Sequence, residues 1–329
     1  MIDDRISILR KIEERRASNA ILYVTGDRPG LETQIHQETY DYFVNILDEI
    51  GVVDKISLIL YTRGGNTLAA WSIVNLIRQF CNEFEVIIPN KAQSAGTLIS
   101  IGAKTIVMTK QATLGPVDPS INTPLNPQIN GAPPDAKVPV SVEAVNGFLE
   151  LAKSNMDNPD ANAMKDLIIK LSEEVHPLVL GEVFRSKTQI QMLSKKLLSN
   201  SEIEADKIDA LVSFLCSESG SHDYTIHRRE ARNLGLIVEK PDSDFYSEIK
   251  ALYDDFATEL KLTEKWEPLR EFGSSDHLTY ANKRCLLEST SGKSYCFSTE
   301  GEMRKVQQGP QTQIQDNRTF EGWKNETAN

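Results

Sequence analysis

Two short stretches hold the residue types that acyl-transfer chemistry needs. "AQSAGT", residues 92–97, sets Ser94 between small neighbours, and "YTRGGNT", residues 61–67, sets Gly64 and Gly65 side by side. A serine hydroxyl becomes a useful nucleophile when a base takes its proton and N–H donors hold the charge that develops on the attacked carbonyl oxygen. Gly64 and Gly65 lack a Cβ, so their backbone N–H groups can approach a ligand closely. The N–H of Ala95 is a further donor, because the first turn of a helix leaves its N–H groups without intrahelical partners. Two such donors converging on one oxygen would form an oxyanion hole, with Ser94 placed to attack the same carbonyl. Taken singly, each stretch has a plainer reading. Serine is a favoured helix N-cap, and Gly-Gly turns usually do no more than reverse the chain.

The elements around them set the two stretches apart. "NAILYVTG" (19–26), "DKISLILYT" (54–62), "FEVIIP" (84–89) and "TIVMTK" (105–110) are apolar, β-branched runs that read as buried strands. "IHQETYDYFVNILDEIG" (35–51) and "TLAAWSIVNLIRQF" (67–80) carry helical spacing, and the Ser94 segment reads as a short helix. Strands and helices alternating at this interval imply an α/β fold whose sheet is mostly parallel and covered on both faces. Each glycine- or serine-bearing turn follows a strand and precedes a helix, so both open on the carboxyl edge of the sheet, where such folds bind ligands.

In this order the blocks "LYTRGGNTLAAWSIVNLIR", "IIPNKAQSAGTLISIGAKTIVMTKQATLGPVDPSI" and "HDYTIHRREARNLGLIV" resemble the serine dehydrogenase proteinase family of the ClpP/crotonase superfamily, which is also similar to signal peptide peptidase A. The resemblance spans roughly residues 20–240. It implies a ClpP/crotonase-like β/α spiral, a serine peptidase acting on peptide or protein substrates, and assembly of identical subunits into trimers or stacked trimers. By it, Ser94 corresponds to the nucleophile and Gly64 and Ala95 to the oxyanion-hole donors, with Gly65 beside them. No bound cofactor is implied.

The general base departs from the resemblance. Val117, in "LGPVDP", stands where the Clp proteolytic subunit carries its histidine. His222, in "SHDYTI", lies in the segment that carries the Clp triad aspartate, and Asp118 lies one residue beyond Val117, so a rearranged Ser94, His222, Asp118 triad is one solution. An imidazole with an ordinary pKa of ~6.5 suits general-base work, and a carboxylate would fix its tautomer. Signal peptide peptidase A uses a lysine instead, which makes Lys137 in "PPDAKVPV" and Lys187 in "FRSKTQI" the alternatives; either would need its pKa of ~10.4 lowered by burial. His176, before Pro177, is a further candidate base or simply the end of a helix. Arg63, beside the glycines, either pairs with a carboxylate or faces substrate.

Composition narrows the alternatives. With 36 Lys+Arg against 47 Asp+Glu, the net charge of −11 argues against nucleic acid or anionic membrane as a partner. Cys81, Cys216, Cys285 and Cys296 lie far apart without a CxxC pair, which indicates neither a metal site nor a disulfide framework and suits a reducing compartment. No run approaches the ~18 apolar residues of a membrane span, and "MIDDRISILRKIEERR" is unlike a signal peptide, so the expected location is the cytoplasm. Two other functions fit the scaffold: a crotonase-type acyl-CoA enzyme, and a non-catalytic assembly module.

The expected organisation is a catalytic domain at 1–240, an amphipathic helical extension at 241–270, a small β appendage at 271–306 and a flexible polar tail at 307–329. Phe245, Ile249, Leu252, Phe256 and Leu260 fall on one face of the extension, which therefore needs a surface to cover. The Pro-, Asn- and Gly-rich stretch at 115–140 reads as a long loop, followed by helical patterns up to about residue 216.

Overall fold

The computed structural model describes residues 2–117, 120–129, 131–133, 136–154, 161–199, 201, 203–218, 223–308 and 311–326. The chain divides into two units, residues 1–114 with 226–329, and residues 115–225. The span read from sequence as one domain at 1–240 is thus interrupted by an inserted unit.

The first unit opens with helix α1 (Ile2–Arg16), followed by strand β1 (Asn19–Thr25), α2 (Thr39–Ile50), β2 (Val53–Tyr61), α3 (Thr67–Phe80), β3 (Cys81–Ile88), β4 (Lys91–Ala92), α4 (Ala95–Ile101), β5 (Thr105–Met108) and β6 (Thr113–Leu114). The second unit contains the two-residue strands β7 (Ser120–Ile121) and β8 (Val140–Ser141), then α5 (Val142–Ser154), α6 (Ala161–Glu174), α7 (Pro177–Leu198) and α8 (Ala205–Ser213) with a π-helical turn at Phe214–Glu218. The chain returns to the first unit with β9 (Ile226–His227), α9 (Arg228–Asn233), β10 (Val238–Glu239), α10 (Ser243–Glu259), α11 (Pro268–Glu271), β11 (His277–Ser289), β12 (Ser294–Gln308) and β13 (Gln311–Asn325).

Eight strands of the first unit form one sheet in the order β10-β5-β3-β2-β1-β11-β12-β13. The five from β10 to β1 are parallel, as the alternating strand and helix patterns required. In β1 the even-numbered Leu22 and Val24 join a core cluster with Leu9 and Ile12 of α1 and with the Phe245, Ile249, Leu252 and Phe256 stripe of α10. The odd-numbered Tyr23 meets Phe43 of α2 edge to face at 5.2 Å on the opposite side, so helices cover both faces. The amphipathic extension thus has the surface its sequence called for.

The C-terminal strands depart from the sequence reading. The expected hairpin forms, but β11 pairs antiparallel with β1, so β11 and β12 extend the main sheet instead of forming a separate appendage. The polar stretch expected to be a flexible tail supplies β13, paired with β12 from Tyr295↔Asn325 to Gln308↔Gln311. Its anchor is aromatic: Trp323 lies 4.9 Å from Tyr42 of α2 and 5.8 Å from Phe297 of β12, ring centre to ring centre. Few apolar residues mark β13 in sequence; its pairing partner is the adjacent β12, and its aromatic anchor includes the remote Tyr42. Among the described residues, no helix is long and apolar enough to cross a membrane.

Candidate active site

Strand β2 ends at Tyr61 and α3 begins at Thr67, leaving five residues for the glycine turn. Gly64 has φ +116° and Gly65 φ +142°, conformations that side-chain-bearing residues rarely adopt. The neighbouring segment holds this turn through an isolated parallel bridge between Ile35 and Gly65. The Ile35 N–H donates to the Gly64 carbonyl and the Asn66 N–H donates to the Ile35 carbonyl, both at 2.8 Å. A Cβ on Gly65 would stand 2.4 Å from the Ile35 carbonyl oxygen, so this position admits only glycine at its present spacing.

Ser94 joins β4 to α4 with φ +51° and ψ −115°, a strained conformation for a residue with a Cβ. It occupies the N-cap position of α4, yet its side chain makes no capping hydrogen bond. The plain reading of this serine as a helix cap therefore does not hold. A sharp strand-to-helix turn with a strained serine is the geometry that lifts a nucleophilic hydroxyl clear of the backbone. Ser94 is half-buried, and among the described residues no side chain takes a hydrogen bond from its hydroxyl.

The two turns lie against one another. A Cβ built on Gly64 would fall 2.6 Å from the Ser94 Cβ and 3.1 Å from its Oγ. The donors sort themselves by what they already bond. The Gly64 N–H, expected to face the reacting oxygen, instead donates to Thr62 Oγ1 at 2.9 Å. Among the described residues the N–H groups of Gly65 and Ala95 have no acceptor. In the peptide unit that joins Gly64 to Gly65, C=O and N–H point to opposite sides of a trans plane. Engagement of that carbonyl by Ile35 therefore turns the Gly65 N–H away from the Ile35 segment.

Charges near the turn are arranged around Asp27. Tyr61 donates to Asp27 Oδ1 at 2.7 Å and Lys91 Nζ lies 2.9 Å from Asp27 Oδ2. Burial, with the adjacent Asp27 carboxylate, pushes the Tyr61 phenol well above its ordinary range, so it stays a neutral donor. Lys91 is thereby committed to an ion pair. Arg63 is exposed, and no carboxylate pairs with it among the described residues. Three of the four thiols are poor competing nucleophiles: burial pushes Cys81 up to about 11, Cys296 up to about 12 and Cys285 well above its usual value.

The candidate bases belong to the other unit. His222 and Asp118 lie outside the described residues. Lys137 sits in an isolated antiparallel bridge with Gln128, and Lys187 is half-buried on α7. His176 is exposed at the N-cap of α7, where its Nδ1 accepts the Leu178 N–H at 3.2 Å, the helix-boundary role that a residue before proline suggested. Sequence reasoning missed Thr62 and Ile35: Thr62 bonds Gly64 two residues on and is itself met by Thr25, Lys91 and Gln93, while Ile35 reaches the glycine turn from a distant segment.

Among curated proteins the chain is similar to an uncharacterized protein of Methanocaldococcus jannaschii, 27% identical over 298 residues and covering 85% of each chain. A second uncharacterized protein of that organism is 33% identical over 125 residues, 36% of this chain and 42% of the other. Among solved structures it is similar to the 1510-N membrane-bound stomatin-specific protease, at 18% identity over 70% of this chain and 85% of that one, with a TM-score of 0.40. It is also similar to ClpP1 from Listeria monocytogenes, at 13% identity over 71% and 97% of the two chains, with a TM-score of 0.36. Residues 1–133, which hold the glycine turn, Ser94 and four of the five parallel strands, match the family model of ClpP-like SDH-type serine proteinases.

Proposed function

We propose that the protein is a serine peptidase that hydrolyses peptide bonds through an acyl-enzyme on Ser94. The observation that carries this reading is the strained, uncapped Ser94 held against a glycine turn, with two open N–H donors, Gly65 and Ala95, on the same pair of turns. Ser94 Oγ attacks the substrate carbonyl while a base takes its proton. The tetrahedral oxyanion is held by the N–H groups of Gly65 and Ala95, and collapse expels the amine, which receives the proton from the base. Water then repeats the sequence on the ester. Gly64 contributes space and not a donor, because its N–H is already bonded to Thr62.

His222 oriented by Asp118 is the first choice of base, with Lys137 and Lys187 as the lysine alternatives. His176 ranks behind them because its imidazole is committed to capping α7. The reading extends to a cytoplasmic homo-oligomer, trimers or stacked trimers. The inserted unit bears large exposed apolar side chains, Phe184 at 73%, Leu178 at 65%, Leu151 at 60% and Ile168 at 51%, which subunit contacts would cover.

The test is intact-mass analysis after fluorophosphonate treatment, alongside peptide hydrolysis, for the native chain and Ser94→Ala. One adduct on the native chain, none on the variant, and loss of hydrolysis are expected. Undiminished hydrolysis by Ser94→Ala ends the reading. A histidine base gives activity that rises with pH through a value near ~6.5 and is lost in His222→Ala. Retained activity in His222→Ala, with loss in Lys137→Ala or Lys187→Ala, moves the base to lysine.

A further inference from the structure

The geometry points to Thr62 as the residue that positions the oxyanion donor relative to the nucleophile: its one side chain and backbone tie the glycine turn to the serine turn. Six contacts meet at this fully buried residue. Its N–H donates to the Lys91 carbonyl and its carbonyl accepts the Gln93 N–H, both at 3.1 Å, which sets the strand leading into Ser94 beside the end of β2. Its Oγ1 accepts the Gly64 N–H at 2.9 Å, Thr25 Oγ1 donates to the same oxygen at 2.6 Å, and its own proton is directed to the Gly64 carbonyl at 3.4 Å. Its methyl faces α4, where a Cβ on Gly96 would come within 2.4 Å of Thr62 Cγ2.

The consequence for the donors follows from peptide planarity. A hydroxyl has two lone pairs and one proton. Here both lone pairs are used, one by Thr25 and one by Gly64, so the hydroxyl cannot turn away without leaving buried partners unsatisfied. Fixing the Gly64 N–H fixes the plane joining Arg63 to Gly64. The following plane is fixed at its other end by the Ile35 N–H on the Gly64 carbonyl, and that plane carries the open Gly65 N–H. Thr62 and Ile35 therefore clamp two successive planes of a turn whose positive-φ glycines would otherwise be the most mobile part of the site. Preorganised donors stabilise an oxyanion because no reorientation is needed when its charge develops. Thr62 is fully buried, so it acts as a positioning residue through Gly64 and Gly65.

This inference rests on the peptidase reading, and its test separates the two. Thr62→Val keeps shape and burial but removes the acceptor, whereas Thr62→Ser keeps the acceptor and removes the methyl. With steady-state peptide hydrolysis, Thr62→Val is expected to lower kcat by ~10–10²-fold with KM changed less than about 2-fold, the signature of an interaction that matters in the transition state. Thr62→Ser is expected to retain kcat within about 3-fold, a rescue that lost packing alone would not give. Equal losses in both variants, or an unchanged kcat in Thr62→Val, overturn the proposal. Should Thr62→Val fail to fold by circular dichroism, Thr25→Val, which removes only the second hydroxyl, decides: a several-fold fall in kcat supports the clamp and an unchanged kcat overturns it. Hydrolysis retained by Ser94→Ala removes the peptidase reading itself, whereas an inactive Ser94→Ala beside a fully active Thr62→Val removes the clamp alone.

Discussion

A methyl group added at position 64 would stand 2.6 Å from the Ser94 Cβ and 2.9 Å from the Gln93 carbonyl, on a backbone already at φ +116°. Gly64→Ala is therefore expected to push the two turns apart and to lower kcat for peptide hydrolysis by ~10²-fold or more, comparable to loss of an oxyanion donor. Gly51→Ala is the control. Gly51 also has positive φ, at +73°, but nothing lies within 4 Å of its added Cβ, so it tests backbone strain without the close approach. Activity equal to the native chain in Gly64→Ala, measured on folded protein, would show that the spacing of the turns does not matter. The types and order of these residues were legible in the sequence. The positive φ of Ser94 and the engagement of the Gly64 N–H were not, because the two turns are held in place by contacts between remote segments: Thr62 with Thr25, Lys91 and Gln93, and Ile35 with Gly64.

At the scale of elements, α1 is fastened by a charge that its sequence shows but whose partners it does not. Arg5 is fully buried and grips Glu288 of β11 with Nε at 2.9 Å and Nη2 at 2.7 Å, while Nη1 meets Asp255 at 2.6 Å and also Glu259. Despite the opposing effect of burial, these carboxylates hold the guanidinium above its usual value. Burial raises the Glu288 carboxyl, even with Arg5 bonded to it. Arg5→Met leaves that carboxylate buried and uncompensated, so the chain is expected to lose about 3–5 kcal/mol in urea unfolding at neutral pH. A raised folded-state value means that protonation favours the folded chain, so this loss should diminish as the pH is lowered through it. A loss that stays below 1 kcal/mol at neutral pH would show the network to be dispensable. The apolar stripe of α10 announced a buried helix by its spacing alone; that its acidic side also receives Arg5 became visible only when α1 was laid across it.

For the whole molecule, the last strand is the informative element. Removing residues 309–329 would expose the outer edge of β12 and uncover Tyr42 and Phe297, the rings that hold Trp323. A long unpaired edge is a template for association. The truncated chain is expected to lose about 2–4 kcal/mol, from aromatic burial and pairing, and to self-associate. Thermal unfolding and light scattering check this, and an unchanged Tm would mean that β13 contributes no stability.

The sequence by itself determined the parallel half of the sheet, the placement of both turns on its carboxyl edge and the nucleophile candidate. Those features come from local patterning: apolar β-branched runs, helical spacing and glycine between them recur within windows of a few turns, and parallel order follows from alternation. Tertiary structure decided the insertion of residues 115–225, the joining of β11 to β1, the recruitment of β13, and which glycine N–H stays open. The joining of β11 to β1 and the aim of the Gly65 N–H depend on partners far apart along the chain: β11 pairs Leu287 with Tyr23, and the Gly65 plane is turned by Ile35; β13 pairs with the adjacent β12, but Trp323 is anchored on the remote Tyr42. A hydrogen bond between remote segments leaves no period in either one, so the direction in which an N–H points is set when the segments meet.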